Sequence, residues 1–401
     1  MQAFEYACPT KIICGTDALK KLGDEVNDRH LARPLVLTDA NLVKLGVADQ
    51  VFAPLAQAGI TYESFDQIPP DSSLAVVNAV VAQYKAAGCD ALIALGGGSV
   101  IDTAKGAAAS LSCAGADISS LQGSEILHDD LPPFIAIPTT AGTGSEVTLV
   151  AVVADTAAQT KLSYTSYNLV PDVAFLDPAL TQSLPPKLTA TTGMDALTHA
   201  IEAYTSIQKN PVSDAFASGA IKLICANLPT ACAHPRDADA RCALALGSLM
   251  AGVAFSNAMV GIVHALGHAL GGLCHIAHGQ AMMLLLPHCI DYNVAHKNHH
   301  GYYGELLQIM DAPRFAATAP DARDAAFAGL LHEMNARFHR EYQVAITLAE
   351  LGVKQAQLEA IATQARYDGA ALYNEQEITR EAALEILQAA WGDTATAKDR
   401  A

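Results

Sequence analysis

The sequence predicts an α/β domain followed by an all-α domain, and three observations support this prediction. The first half of the chain alternates short apolar runs with helical patterns, which is typical of a parallel sheet flanked by helices. From about Thr189 onwards strand signals nearly vanish. At 401 residues the chain exceeds the size at which a single core keeps growing. We therefore expect two domains, residues 1–181 and 182–401.

The elements of the first half follow from periodicity and from breaks at glycine and proline. Apolar runs that end in polar or glycine-rich turns predict strands, whereas a recurrence of apolar residues at helical spacing predicts helices. The predicted strands begin in PLVLTD (34–39), DALIALGGGS (90–99), PFIAIPTTAGTGSEVT (133–148) and DVAFLDPALTQSLPP (172–186), and the predicted helices are AVVNAVVAQYKAAG (75–88) and VIDTAKGAAASL (100–111).

The second half consists of Ala/Leu-rich segments with helical periodicity. They predict a domain that is nearly all α-helical, and no repeat of solenoid length is visible. The segments are TATTGMDALTHAIEAYTS, SDAFASGAIKLICANL, ARCALALGSLMAGVAFSNAM, VHALGHALGGL, DAAFAGLLHEMNARF and LEAIATQARY.

Composition excludes several classes of partner. A formal net charge of −17 argues against binding to nucleic acid or to an anionic membrane. The apolar runs at 91–95 and 281–287 are too short to span a bilayer. Nine scattered cysteines without a C-x-x-C motif indicate free thiols in a reducing compartment. The N-terminal segment shows no secretory signal pattern, so we expect a cytoplasmic protein.

Asp195, His199, His264 and His278 are the most informative residues in the chain. Asp195 and His199 are four residues apart, so a helix places them on one face. A carboxylate and imidazoles that converge on one point are typical of an Fe or Zn site with room for a further ligand, as a Lewis acid requires. Spacing alone leaves open a satisfied core histidine at any one position, and it also leaves His268 and His275 as alternative ligands.

Two glycine- and hydroxyl-rich loops follow predicted strands. Gly96-Gly97-Gly98-Ser99 opens a helix, where backbone N–H groups and the helix dipole favour a phosphate. The second loop is PTTAGTGSE (138–146). Two such loops at the carboxyl ends of parallel strands predict a nucleotide-binding crevice. A tight packing turn is the alternative for the first loop, and a capping segment is the alternative for the second.

Asp39 ends the first predicted strand. An acidic residue at this position can bind a ribose 2′-hydroxyl and repel a 2′-phosphate, which favours NAD over NADP. The alternative is a turn aspartate that faces solvent.

These motifs, in this order and spacing, resemble the iron-containing (group III) alcohol dehydrogenase family over essentially the whole chain. The resemblance rests on GGGSVIDTAK (96–105), PTTAGTGSEVT (138–148), GMDALTHAIEAY (193–204) and the 261–279 segment. It implies a dehydroquinate synthase-like architecture with an NAD-binding α/β domain and a helical metal-binding domain. It also implies the metal ligands Asp195, His199, His264 and His278, and a proton-relay role for His268.

The resemblance further implies a set of cofactor contacts: Asp39, Gly96, Gly97, Gly98, Ser99, Asp102, Thr139, Thr140, Ser145 and Lys161. It assigns His275 to an exposed loop. Histidines 288, 296, 299 and 300 are taken as surface or structural residues. The chain departs from the family pattern at Asp71, where Asn is usual, at Ala277, where Pro is common, and at Met282, which replaces Asn.

The expected activity is NAD(H)-linked interconversion of a short- or medium-chain primary alcohol, or a diol, and its aldehyde. Leu149, Val150 and Phe255 are apolar candidates for the substrate pocket. Fe2+ is expected and Zn2+ is possible, and the family implies a homodimer or larger homo-oligomer. Alternatives are a glycerol dehydrogenase-like or 4-hydroxybutyrate and hydroxyacid-oxoacid enzyme on the same fold, or a non-catalytic metal- or nucleotide-binding protein.

Overall fold

The computed structural model describes residues 3–113, 117–121, 123–124, 127, 130–156, 160–297 and 300–392, so His299 lies outside the described residues. The chain divides into two compact units. The α/β unit consists of Ala7–Ser183 and Arg236–Gly252, and the helical unit consists of Met1–Tyr6, Leu184–Pro235 and Val253–Ala401.

The α/β unit is built on a parallel sheet of six strands. Its strands, with those of a smaller sheet, are β1 (Lys11–Cys14), β2 (Pro34–Leu37), β3 (Glu63–Phe65), β4 (Ala91–Gly96), β5 (Gly123–Ser124), β6 (Phe134–Pro138), β7 (Val150–Asp155), β8 (Thr160–Thr165) and β9 (Val173–Leu176). The large sheet has the order β1-β9-β6-β4-β2-β3, and every pairing in it is parallel.

Both faces of this sheet are covered. The helices of this part of the chain are α1 (Leu22–Asp28), α2 (Ala40–Lys44), α3 (Asp49–Gln57), α4 (Leu74–Ala87) and α5 (Gly98–Ser112). Strand β4 shows why the apolar run is continuous. Leu92 and Ala94 belong to one hydrophobic cluster, and Ile93 and Leu95 belong to the other. A parallel strand that is buried on both faces needs apolar residues at every position.

The helical unit contains no strand among its described residues. Its helices are α6 (Pro186–Thr205), α7 (Pro211–Ala233), α8 (Ala238–Ser256, whose first fifteen residues belong to the α/β unit), α9 (Ile262–Cys274), α10 (His278–Ala295), α11 (Tyr302–Met310), α12 (Ala312–Ala317), α13 (Arg323–Tyr342), α14 (Leu358–Ala365) and α15 (Arg380–Trp391). Among the described residues, α7 and α8 are long and apolar enough to cross a membrane, a property that buried core helices of soluble proteins share.

The predicted fold class is confirmed, and the predicted strands and helices of the first half are present within a few residues of their expected bounds. One feature was missed. Strands β7 and β8 form an antiparallel pair in a separate sheet with the order β5-β8-β7. Their sequences, VAVVAD and TKLSYT, are strand-like. Because they lie between two predicted strands of the parallel sheet, the sequence did not indicate a separate antiparallel pair.

Candidate metal centre and nucleotide-binding loops

Three helices of the helical unit carry the predicted metal ligands. Asp195 and His199 lie one turn apart on α6, His264 lies on α9, and His278 is the first residue of α10. Glycine at position 279 lets α10 approach α6 closely, because a Cβ atom there would lie 2.8 Å from the carbonyl oxygen of Thr191. The helix packing therefore brings the start of α10 to the ligand face of α6.

The four side chains converge. Each offers a ligand atom, and these atoms all lie within 4.8 Å of one another. The ring centroids of His199 and His264 are 4.4 Å apart, and those of His264 and His278 are 5.4 Å apart. His278 Nε2 lies 3.3 Å from Asp195 Oδ1. Asp195, His199 and His264 are buried, and His278 is partly exposed.

Unpaired buried atoms show that these residues fit a divalent cation. Asp195 Oδ1, His199 Nδ1 and His264 Nε2 are buried without a hydrogen-bond partner. A buried polar atom without a hydrogen-bond partner destabilises the folded state by about 1–3 kcal/mol. Three such atoms in one cluster therefore indicate that a ligand completes the site. A cation coordinated by imidazole nitrogens and a carboxylate oxygen would satisfy the cluster, with Fe2+ and Zn2+ both compatible with this donor set.

The electrostatics of the cluster favour the protonation states that a cation needs. Burial disfavours the charged carboxylate of Asp195, but the neighbouring imidazoles outweigh burial and hold its pKa below the ordinary value. Burial lowers the pKa of His199 to about 3 and that of His264 well below the ordinary value. The carboxylate is therefore ionised and these two imidazoles are neutral at neutral pH, as metal ligands must be.

Glu202, which sequence reasoning did not single out, fixes the orientation of His264. His264 Nδ1 lies 2.5 Å from Glu202 Oε2, and the backbone N–H of Val263 donates to Oε1 at 2.7 Å. This pairing sets the imidazole tautomer and leaves Nε2 for a metal. Glu202 lies three residues after His199 on the same helix face, and this spacing could have indicated its role.

His268 lies beside the cluster and pairs with a carboxylate. Its Nδ1 atom is 2.9 Å from Asp368 Oδ2, and its ring stacks on His278 with centroids 5.5 Å apart. Although burial acts to raise the pKa of Asp368, His268 and a backbone N–H lower it overall. Asp368 lies one hundred residues away in sequence, so no local pattern predicted the pair. His275, the other open alternative, is exposed at the end of α9.

Phe255 flanks the cluster, and Met282 lies where α9 and α10 pack together. Phe255 stacks on His199 with ring centroids 4.4 Å apart and provides an apolar surface at a predicted ligand. Met282 is fully buried, and a Cβ atom at Gly267 would lie 1.8 Å from its terminal methyl carbon. Met282 therefore packs α10 against α9.

The predicted nucleotide-binding loops lie at the carboxyl edge of neighbouring strands in the α/β unit. Strands β2, β4 and β6 are adjacent, and Gly96 pairs in register with Pro138. The backbone N–H of Thr139 donates to the carbonyl oxygen of Gly96 at 3.0 Å, which joins the two loops. The carboxyl edge of a parallel sheet is where nucleotides bind in such folds.

The three glycines of the first loop have different reasons to be glycine. A Cβ atom at Gly96 would lie 2.4 Å from a methyl of Val100, and one at Gly98 would lie 2.8 Å from a methyl of Thr143. At Gly97, the N-cap of α5, the nearest atoms would be 3.4 Å away on Thr140. Packing thus explains Gly96 and Gly98, whereas a Cβ atom at Gly97 would make only ordinary van der Waals contacts, so packing alone does not require glycine there.

The other predicted cofactor residues are engaged within the unit. Ser145 Oγ donates to Asp102 Oδ1 at 2.7 Å, and the backbone N–H of Val152 donates to Oδ2 at 3.1 Å. Burial raises the pKa of Asp102. Ser99 Oγ donates to the carbonyl oxygen of Pro70. The hydrogen bond between Ser145 and Asp102 therefore connects the second loop to the helix that follows the first loop.

Lys161 and Asp71 form an ion pair, with Lys161 Nζ 3.4 Å from Asp71 Oδ1. The aspartate that departs from the family pattern thus contacts a predicted cofactor residue. Asp39 is the N-cap of α2, and its Oδ1 atom accepts from the backbone N–H groups of Asn41 and Leu42 at 2.9 and 3.0 Å. Capping gives this residue a structural role at the end of β2, and a ribose contact remains a prediction.

Sequence reasoning also missed two buried titratable residues of the α/β unit, Lys105 and Glu146. Lys105 Nζ donates to the carbonyl oxygens of Thr148 and Val150 and to the Thr148 hydroxyl, at 2.6–3.0 Å. Burial lowers the pKa of Lys105 to about 8 and raises that of Glu146 to about 7. Both residues belong to the motifs quoted above, GGGSVIDTAK and PTTAGTGSEVT, but nothing in the local sequence marks them as buried.

Comparison with known proteins identifies the family. Residues 9–178 match the family described as iron-containing alcohol dehydrogenase, and residues 189–391 match the C-terminal domain of the same family. Together these matches cover most of the chain, and it belongs to the iron-containing alcohol dehydrogenase family.

Two relatives and one solved structure match nearly end to end. The chain is 34% identical over 383 residues to an NAD-dependent methanol dehydrogenase of Bacillus methanolicus, covering 96% of this chain and 98% of that protein. It is 36% identical to a 1,3-propanediol dehydrogenase of Citrobacter freundii, covering 97% and 99%. A crystal structure of 1,3-propanediol oxidoreductase superimposes with a TM-score of 0.92 at 34% identity, covering 97% and 100%. The predicted enzyme class, an alcohol dehydrogenase of the iron-containing type, is confirmed.

Proposed function

We propose that this chain oxidises a short- or medium-chain primary alcohol, or a diol, with NAD and one Fe2+ held by Asp195, His199, His264 and His278. The cluster of three unpaired buried atoms on the first three of these residues is the observation that supports the proposal most. The methanol dehydrogenase and the 1,3-propanediol dehydrogenase among the relatives support a small alcohol as the substrate. Zn2+ is the second candidate ion, because the same donor set accepts it.

Each side chain then has a defined role. The bound cation supplies Lewis acidity toward the substrate oxygen, and NAD supplies the hydride acceptor. Glu202 holds His264 so that Nε2 faces the cluster. His268, oriented by Asp368, exchanges a proton with the substrate oxygen directly or through water. Phe255 supplies an apolar wall that favours alkyl substrates over charged hydroxyacids.

For the domains, we propose that residues 1–181 bind NAD and residues 182–401 hold the metal. In the NAD domain, the proposed contacts are the Gly96–Ser99 and Thr139–Ser145 loops, Asp102 and Lys161, with Asp39 selecting NAD over NADP. Asp39→Asn tests the selection, since Asn caps helices about as well as Asp but carries no charge. We expect the ratio of kcat/KM for NAD+ to that for NADP+ to fall about tenfold, roughly 1.4 kcal/mol, with unchanged thermal stability. An unchanged ratio would contradict the role of Asp39.

We further propose a cytoplasmic homodimer or larger homo-oligomer. An acidic chain with nine free cysteines is consistent with a reducing compartment. Light scattering coupled to size-exclusion chromatography measures the assembly directly, and a monomer at micromolar concentration would contradict the proposal.

The activity is tested by an NAD+ reduction assay with chelated protein reconstituted anaerobically with Fe2+ or Zn2+. The panel contains methanol to hexanol, 1,3-propanediol, glycerol and 4-hydroxybutyrate. We expect turnover with primary alcohols or the diol, and highest activity with Fe2+. Preference for glycerol or 4-hydroxybutyrate would favour the alternative enzymes on this fold. No turnover with any substrate under either metal would contradict the dehydrogenase proposal.

A further inference from the structure

A second cluster of potential metal ligands lies on helices α10 and α13. It consists of His288, Asp291 and His332, whose ligand atoms all lie within 4.8 Å of one another. His288 and Asp291 are three residues apart on α10 and share a face. His332 lies on α13, so two helices contribute to the cluster.

The three side chains are already close to each other. His332 Nε2 lies 2.6 Å from Asp291 Oδ2, and the rings of His288 and His332 meet edge to face with centroids 5.2 Å apart. The His332 and Asp291 side chains are 33% and 50% exposed, so an ion from solvent can reach them. Nearby, Asn335 Nδ2 donates to the backbone carbonyl of Met283, which fixes α13 against α10.

We propose that His288, Asp291 and His332 form a second divalent metal site. Two imidazoles and one carboxylate are a donor set for Zn2+, Ni2+, Co2+ or Cu2+, whereas Mg2+ and Ca2+ prefer oxygen ligands throughout. The ion would replace the hydrogen bond between His332 Nε2 and Asp291 Oδ2, the proton of that bond would move to His332 Nδ1 or be released to solvent, and water would complete the coordination. The net charge of −17 favours cation uptake at such an exposed position.

This site is separate from the first cluster, and its effect is structural. Position 288 lies ten residues beyond His278 on the same helix, a rise of about 15 Å along its axis. An ion bound here connects α10 to α13 and leaves the ligands at the start of α10 untouched. Because it binds the folded state preferentially, the ion raises the unfolding temperature by a few degrees at saturation.

The test is the difference in Zn2+ stoichiometry between wild type and His332→Gln, measured by equilibrium dialysis and elemental analysis. We expect His332→Gln and Asp291→Asn each to bind one Zn2+ fewer per chain than wild type, with alcohol dehydrogenase activity retained. His296→Gln, which changes an exposed histidine outside the cluster, should bind as wild type does. The Zn2+-dependent rise in unfolding temperature should shrink in the first two variants only.

Equal stoichiometry in wild type, His332→Gln and Asp291→Asn would overturn the proposal. So would the loss of one Zn2+ in His296→Gln as well, because binding would then be distributed over surface histidines. The His264→Gln variant, altered in the first cluster, should still lose one Zn2+ when His332→Gln is added. The difference in Zn2+ stoichiometry between these two variants does not depend on whether the first cluster supports alcohol oxidation.

Discussion

The Asp195, His199, His264 and His278 cluster and the glycine-rich loops differ in how far the chain satisfies its own polar atoms. Three buried atoms of the cluster have no hydrogen-bond partner. In the loops, by contrast, Asp102 accepts two hydrogen bonds and Thr139 donates to Gly96 within the unit. A metal site can leave its ligand atoms without hydrogen-bond partners, because the ion supplies the missing contacts. A loop that keeps its conformation without a ligand needs its polar groups to be hydrogen-bonded within the protein. Changes in the cluster should therefore affect metal and activity first, and changes in the loops should affect stability first.

His264→Ala should give the largest effect. Loss of a ligand should remove the metal and lower kcat/KM by at least about a thousandfold, since a Lewis acid contributes several kcal/mol to the transition state. Fe2+ should raise the unfolding temperature of wild type but not that of the variant. The matched control is His296→Gln, which should behave as wild type. A variant that keeps both metal and activity would contradict the cluster as the metal site.

Glu202→Gln should weaken the cluster without removing a ligand. Because the amide can present a donor to His264 Nδ1, the imidazole loses its enforced tautomer, and metal affinity should fall about 10–100-fold. Competition with a chelator measures this affinity. An unchanged affinity would show that Glu202 acts only in packing.

Gly96→Ala should destabilise the α/β unit by about 1–3 kcal/mol, because the new methyl overlaps Val100. The matched variant Gly97→Ala, with 3.4 Å to its nearest neighbours, should be milder in stability but should raise the KM for NAD+. Chemical denaturation and NAD+ titration measure the two effects. Equal effects of both substitutions on stability and on KM would contradict the assignment of Gly96 to packing and of Gly97 to NAD+ binding.

Glu146→Gln gives the smallest expected effect, and it depends on pH. The folded-state pKa of Glu146 is raised from 4.5 to about 7, so the folded protein retains a proton that the unfolded chain releases. Wild-type stability therefore falls as pH rises from 4.5 to 7, and Glu146→Gln lacks this loss. Between pH 5 and 7, the free energy of unfolding of the variant should rise by about 1–2 kcal/mol relative to that of wild type. A pH-independent difference would mean that Glu146 is ionised throughout.

The sequence predicted local features well and tertiary partners poorly. The parallel strands and the shared helix face of Asp195 and His199 follow from periodicity. Choosing His264 and His278 over His268 and His275 required the family pattern, because spacing alone allowed all four. Asp368 could not be predicted, since its contact with His268 spans one hundred residues and depends on how α9 packs.

Other omissions had a signal in the sequence. Glu202 lies on the ligand face of α6, and Lys105 and Glu146 lie within the quoted motifs, yet each can also be interpreted as an ordinary surface residue. Only the burial of these side chains shows that they are not surface residues. Burial depends on the tertiary fold, so the sequence alone could not establish it. The distinct roles of Gly96 and Gly97 likewise depend on where Val100 and Thr140 lie.

In the proposed enzyme, the cluster of Asp195, His199, His264 and His278 holds the catalytic metal. Anomalous diffraction at the iron edge from crystals loaded anaerobically with Fe2+ tests it most directly. We expect a strong peak about 2.0–2.2 Å from a ligand atom of each of the four side chains. The absence of a peak there in crystals of active, iron-loaded protein would show that these four residues do not hold the metal.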